Sequence, residues 1–144
     1  GLRMRMMRAL QEDQPGEDAL TERETLILQQ LADQGPQSVS RISESWPNVS
    51  DSTISMTITR LWRKRGLVTK TINPENQRVT MVELTDKGRA ELGKVLKQRT
   101  ERLQALFTAM NVSPEEKQML INVCQRGVKY LDKMLGLEPV SDKK

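Results

Sequence analysis

Apolar positions along the chain follow two periods, and the changes between them mark out elements. Leu26, Ile27, Leu28, Leu31 and Ala32 keep the three-and-four spacing of an amphipathic helix. Thr21 and Glu24 precede that run at the spacing of a capping box, so a helix is expected over about 21–34, ended by Gly35-Pro36. Ser38 can cap a short second helix carrying Val39, Ile42 and Trp46. Pro47 would terminate it, because proline lacks a backbone donor and disfavours helical geometry in the residue before it. After the turn at Pro47-Asn48-Val49, Ser50 is the expected cap of a third helix. At about 100° per residue, Ile54, Ile58, Leu61 and Trp62 fall on one side of it, and Ser52, Met56, Thr59 and Arg63 fall opposite.

Gly66 then ends the helical period, and β-branched residues dominate Leu67 to Ile72 and Val79 to Leu84. Between them lies Asn73-Pro74-Glu75-Asn76-Gln77-Arg78, rich in turn formers, so an antiparallel hairpin is predicted with Arg78 at its tip. A long helix is suggested from Thr85 to Met110 by Leu92, Leu96, Leu103, Leu106 and Met110, with Arg99 in a slot that a simple coiled coil would keep apolar. Ser113-Pro114-Glu115-Glu116 supplies a cap, a proline at the first helical position and a capping-box glutamate for a last helix. Its stripe is Leu120, Val123, Cys124, Leu131, Met134 and Leu135, with Cys124 expected as a small core residue on the inner side. At the other end, Leu2, Met6 and Leu10 with intervening arginines read as a short amphipathic helix, followed by an acidic linker with Pro15-Gly16.

A length of 144 residues suits one compact domain, or one domain with a helical extension. The net charge of +4 permits a nucleic-acid partner without requiring one, and its distribution says more. From Ser52 to Pro74 the chain holds Arg60, Arg63, Lys64, Arg65 and Lys70 and no acid, whereas acids gather at 12–24. The bland account is a solvated face whose cations complement a helix C-terminus. With one cysteine, no histidine, no glycine-rich phosphate loop and no metal-ligand cluster, neither an enzyme nor a bound metal or cofactor is expected. No apolar stretch of about 18 residues spans a membrane, and a cytoplasmic location is expected. Gly1 stands where a start methionine would, which points to processing or an omitted start.

Two short helices joined by a tight turn, the second with a hydroxyl-rich and basic outer face, make a helix-turn-helix, and the hairpin after it makes a winged helix. In the major groove the outer face would present Ser52, Thr53, Met56 and Thr59 to base edges, with Ser50 near a phosphate at the positive helix end. Hydroxyls and a thioether suit thymine methyls or water-mediated contacts. Affinity would then come mainly from Arg60, Arg63, Lys64 and Lys70 on phosphates.

The order of elements resembles the MarR family of bacterial transcriptional regulators. The most specific part is the wing, Asn73-Pro74 through Arg78 and Val79 to Leu84-Thr85-Asp86-Lys87-Gly88. The family has an Asp where this chain has Asn76, so the carboxylate that pairs with the wing arginine is missing and Arg78 is left freer. The resemblance implies a mainly α fold with a small β-hairpin wing, in which a winged helix-turn-helix at 20–90 joins a helical dimerisation region at 1–19 and 91–138, before a flexible tail at 139–144. It further implies a homodimer on a pseudo-palindromic double-stranded DNA operator, with Arg78 in the minor groove. A small aromatic or phenolic effector that relieves repression is part of the same expectation. The apolar stripes of the terminal helices, more than a small winged helix covers alone, agree with a dimer. The competing reading is a winged-helix protein-interaction module without sequence-specific DNA binding, favoured by Asn76 and by the absence of strong bidentate base readers.

Overall fold

The computed structural model describes residues 1, 4–5 and 18–134. Of the helix expected over 2–10 only Met4 and Arg5 are described, both helical, and the acidic linker up to residue 17, Leu135 and the tail lie outside the described residues. The elements are α1 (Glu22–Gln34), β1 (Gln37–Ser38), α2 (Val39–Glu44), α3 (Asp51–Arg63), β2 (Val68–Ile72), β3 (Thr80–Leu84), α4 (Asp86–Ala109) and α5 (Pro114–Met134). They fall into two compact units, Gly1–Lys97 and Gln98–Lys144.

In the first unit each helix starts where a side chain satisfies an otherwise orphaned backbone donor. Thr21 Oγ1 accepts from the Glu24 N–H at 3.2 Å while the Glu24 carboxylate accepts from the Thr21 N–H at 3.1 Å, a complete capping box. Ser38 Oγ accepts from Arg41 N–H at 3.1 Å and Ser50 Oγ from Thr53 N–H at 3.3 Å. Helix α2 is shorter than its apolar spacing predicts. The Ser45 and Trp46 N–H groups bond the carbonyls of Ile42 and Ser43, at 3.2 and 2.9 Å, and this tight last turn closes the helix at Glu44, before Pro47. Trp46 nonetheless packs, half-buried, against the core.

That core joins Ile27, Leu28 and Leu31 of α1, Ile42 of α2 and Ile54, Ile58 and Leu61 of α3 with Leu67, Val68, Val82, Leu84 and Leu92. A fully buried aliphatic side chain of this size is worth roughly 1.5–3 kcal/mol, so three of them hold α3 down and fix its rotation. The stripe read from sequence is the buried one, and the opposite face of α3 points outward.

The sheet is antiparallel with order β1-β3-β2, and Val68 faces Leu84, Lys70 faces Val82 and Ile72 faces Thr80. Strand β1 was not expected from sequence. Two residues carry no readable alternation, yet Gln37 opposite Val82 and Ser38 opposite Met81 cover the far edge of β3 and tie α2 to the wing.

Three close contacts fix the junction of α3, the hairpin and α4. Gly66, at φ 62, adopts the left-handed conformation that turns the chain out of α3, and Leu67 N–H bonds the Leu61 carbonyl at 2.9 Å. Thr85 then clamps the same segment, its N–H on the Leu67 carbonyl at 3.0 Å and its Oγ1 on the Gly66 carbonyl at 2.8 Å. Gly88 follows one turn later, and a Cβ there would lie 2.0 Å from the Leu67 carbonyl oxygen. The Leu-Thr-x-x-Gly pattern is thus a clamp followed by a backbone approach that admits no side chain.

The second unit contains the end of α4 and α5. Ser113 and Glu116 exchange capping-box bonds of 3.1 Å each, as expected, and Asn111, at φ 53, makes the turn. None of the residues of α5 is buried in this chain. Cys124 is exposed, against the expectation of a core residue, because the stripe that carries it faces out.

Gly88→Ala is expected to destabilise the chain by about 3 kcal/mol, since a methyl group must displace backbone. Gly93→Ala, where no heavy atom lies within 4 Å, should be neutral or stabilising by up to about 1 kcal/mol. Urea unfolding of the two variants beside the parent chain measures both.

Candidate nucleic-acid interface

The outward face of α3 begins with hydroxyls. Ser50 Oγ lies 3.1 Å from Ser52 Oγ and 2.7 Å from Thr53 Oγ1, so three side chains share one hydrogen-bond cluster at the helix N-terminus. Ser50 and Ser52 are exposed, Thr53 is half-buried, and Met56 follows on the next turn, 73% exposed. The acid that opens this helix, Asp51, accepts a hydrogen bond from Ser43 of α2 and so joins the two helices of the motif. Its charge also suits the positive end of α3.

Further along, the cations sort into two groups that the sequence did not separate. Arg63 and Lys70 gather on one ring: the Arg63 guanidinium lies 5.0 Å and the Lys70 ammonium 5.4 Å from the Trp62 centroid. Lys70 also donates to Thr59 Oγ1 at 3.4 Å, which links β2 to α3. Lys64 is exposed at the helix C-cap. Trp62, read from sequence as a core residue, is half-buried against the core and is at the same time the platform for two cations.

The second group points inward. Arg65 sends its terminal nitrogens to the carbonyls of Asp18 and Ala19, the latter at 3.0 Å, and its Nε toward Glu24 at 3.9 Å. Arg60 pairs through Nε with the other Glu24 oxygen at 3.4 Å. Arg60, expected as a phosphate ligand, therefore has an internal partner as well. Glu24 escaped notice because its place in the capping box already accounted for it, and nothing local connects position 24 with 60 and 65.

At the wing, Asn76 Oδ1 accepts from the Arg78 N–H at 3.2 Å and Asn73 Oδ1 from the Glu75 N–H at 2.9 Å. These turns need an oxygen acceptor, not a charge, so asparagine serves in them. The Arg78 side chain is exposed and makes no ion pair among the described residues. Ser50, Ser52, Thr53, Met56, Thr59, Arg63 and Lys64 thus lie on or beside one helix, Lys70 is bonded to that helix from β2, and Arg78 stands apart on the hairpin loop.

A short helix, a second helix packed by one stripe with its hydroxyl and basic face outward, and a hairpin behind it define a winged helix-turn-helix. Residues 20–88 match the model of the winged helix DNA-binding domain family. Over these residues the chain is similar to winged helix DNA-binding domains, and its fold is shared with solved MarR-type structures. Its fold is that of the crystal structure of MarR, at a TM-score of 0.73 and 20% identity over 92% of this chain and 93% of that one. BpsR of Bordetella bronchiseptica, whose DNA binding is regulated by 6-hydroxynicotinic acid, superposes at a TM-score of 0.62 with 24% identity, over 88% and 95% of the two chains. In sequence, the uncharacterized HTH-type transcriptional regulator YdgJ of Bacillus subtilis (strain 168) is 30% identical over 79 residues, 55% of this chain. The match spans about half of that relative, 46% of its length. Among the described residues, no helix is long and apolar enough to cross a membrane and no group of three or more His, Cys, Asp or Glu could hold a metal ion.

Asp51→Ala removes both the bond from Ser43 and a favourable charge at the α3 N-terminus. It is expected to cost about 1–2 kcal/mol in thermal or urea unfolding, with Ser43→Ala recovering no more than half of that loss as its own effect.

Proposed function

We propose that the chain is a transcriptional repressor that binds a pseudo-palindromic DNA operator as a homodimer in the cytoplasm. The observation that carries this reading is the outer face of α3. There Ser52, Thr53, Met56 and Thr59 form an uncharged strip, with Ser50 at the positive helix end and Arg63, Lys64 and Lys70 at the other. The strip suits base edges and thymine methyls in the major groove, and the cations suit the flanking phosphates. Arg78 on the wing is suited to the minor groove, where a narrow groove concentrates negative potential. Arg60 reaches DNA only with its terminal nitrogens, since Nε is engaged by Glu24.

Dimer formation is supported by the second unit, considered by itself. Leu120, Ile121, Val123, Val128, Leu131 and Met134 of α5 are each 48–67% exposed, a run of apolar surface too long for an isolated helix in water. Leu103 and Phe107 of α4 line a groove of about 940 Å³ with Leu120, Ile121, Cys124 and Val128. A second copy burying both stripes gives the symmetric, self-complementary interface of a two-fold dimer. Two copies then place two recognition helices on successive half-sites. A small aromatic or phenolic effector is supported by the regulation of BpsR by 6-hydroxynicotinic acid, acting here by changing the separation of the two helices. The protein-interaction reading rested on the missing wing carboxylate and on the absence of strong bidentate base readers; the Asn76 turn bears on the first of these alone, since its oxygen still accepts from the Arg78 N–H.

Selection from a random-sequence DNA pool is expected to enrich an inverted repeat with half-sites about one helical turn apart. On the selected duplex, Arg63→Ala and Arg78→Ala should each lower the slope of log K against log salt by about 0.9, whereas Met56→Ala should change sequence preference with the slope intact. No enrichment over the starting pool would exclude specific DNA recognition. Sedimentation at micromolar concentration should give twice the 16.5 kDa chain mass, and Leu131→Asp should return it to one.

A further inference from the structure

Glu24 is 2% exposed, and its carboxylate serves three partners. Oε1 lies 3.4 Å from Arg60 Nε, while Oε2 lies 3.9 Å from Arg65 Nε and accepts from the Thr21 N–H at 3.1 Å. A carboxylate buried to this degree is tolerable only when paired and hydrogen-bonded, and here two cations face one anion. The two arginines use it differently. Arg65 commits both terminal nitrogens to the carbonyls of Asp18 and Ala19 and its side chain is 17% exposed. Arg60 meets Glu24 as an ion pair, with Nε 3.4 Å from Oε1, and its side chain is 45% exposed.

A guanidinium is a rigid planar fork, so holding Nε restricts where Nη1 and Nη2 can point. Arg60 stands in the last turn of α3, one helical turn before Arg63. We propose that Glu24 is a positioning residue for DNA binding: it holds Arg60 by Nε so that the terminal nitrogens form a preset two-pronged contact with one backbone phosphate. An acid thereby strengthens binding to a polyanion. Its own field on the DNA is offset by the two arginines, while the entropy of orienting a long side chain is lost on folding and not on binding. The inference rests on the DNA-binding reading above and adds to it a residue of α1 that lies off the DNA-facing surface.

Glu24→Gln separates this role from helix capping, because glutamine also serves at the third position of a capping box. The probe is a mixed-sequence duplex of about 30 base pairs, three helical turns, titrated by fluorescence anisotropy across a salt series. Removing a negative charge should tighten binding if Glu24 acts as a charge alone. Positioning predicts the opposite sign: affinity falls by about fivefold to tenfold and the salt slope falls by about 0.9, as for Arg60→Ala, with no further loss in the double variant. Equal or tighter binding by Glu24→Gln with an unchanged slope overturns the proposal. Should Glu24→Gln fail to fold, Arg60→Lys decides alone, since lysine keeps the charge without the fork. Binding like that of Arg60→Ala supports the proposal, and parental binding overturns it. A parent chain that does not bind the duplex overturns DNA binding itself, whereas a parent and a Glu24→Gln chain that bind alike overturn only the role of Glu24.

Discussion

The first turn of α4 rests directly on the carbonyl of Leu67, with no side chain between, and this close approach sets the geometry of everything around it. One residue, Leu67, receives the end of α3 through its N–H on the Leu61 carbonyl, leads directly into β2, and with its own carbonyl accepts the Thr85 N–H at the end of β3 and supports Gly88. Four elements therefore share one reference point. The angle between α3 and the hairpin is thus not left to loop flexibility.

Electrostatics divides the basic run of this chain into two tasks of different cost. Arg65 and the Nε of Arg60 neutralise a buried carboxylate, an arrangement whose disruption strands a charge and costs several kcal/mol. Arg63 and Lys70 lie over an aromatic ring at the surface, where each such contact is worth about 0.5–1 kcal/mol. In the proposed function the weaker contacts are the ones suited to DNA, since a cation only loosely held by the protein has little to give up when a phosphate approaches. The strong ones secure the helix that carries them.

What could be read from sequence was what is decided within a few residues. Thr21, Ser38, Ser50 and Ser113 each satisfy a donor three residues on, so helix starts were legible. The buried stripe Ile54, Ile58 and Leu61 was legible from its period. Pro47 marked only the last point at which α2 could stop, and the carbonyls of Ile42 and Ser43 closed it sooner. The two-residue strand β1 has no period to detect. The pairing of Glu24 with Arg60 and Arg65 joins positions more than thirty apart, and no local spacing foretells it. Cys124 was placed on the correct stripe but inside, because a stripe reports that a face is apolar, not which molecule covers it. Of the outward face of α3, the hydroxyls were legible, while the division of the cations was not.

Trp62 meets two obligations with one ring. It fills space against the core and it seats the Arg63 and Lys70 cations, so the indole belongs at once to the interior and to the charged surface. The two are usually separable in evolution, the interior drifting by compensated packing changes and the surface by charge substitution. Here a replacement at position 62 by an aliphatic residue could satisfy the first demand and not the second. Positions 63 and 70 can change without touching the interior, whereas a change at position 62 that spares the packing still removes the seat of both cations at once.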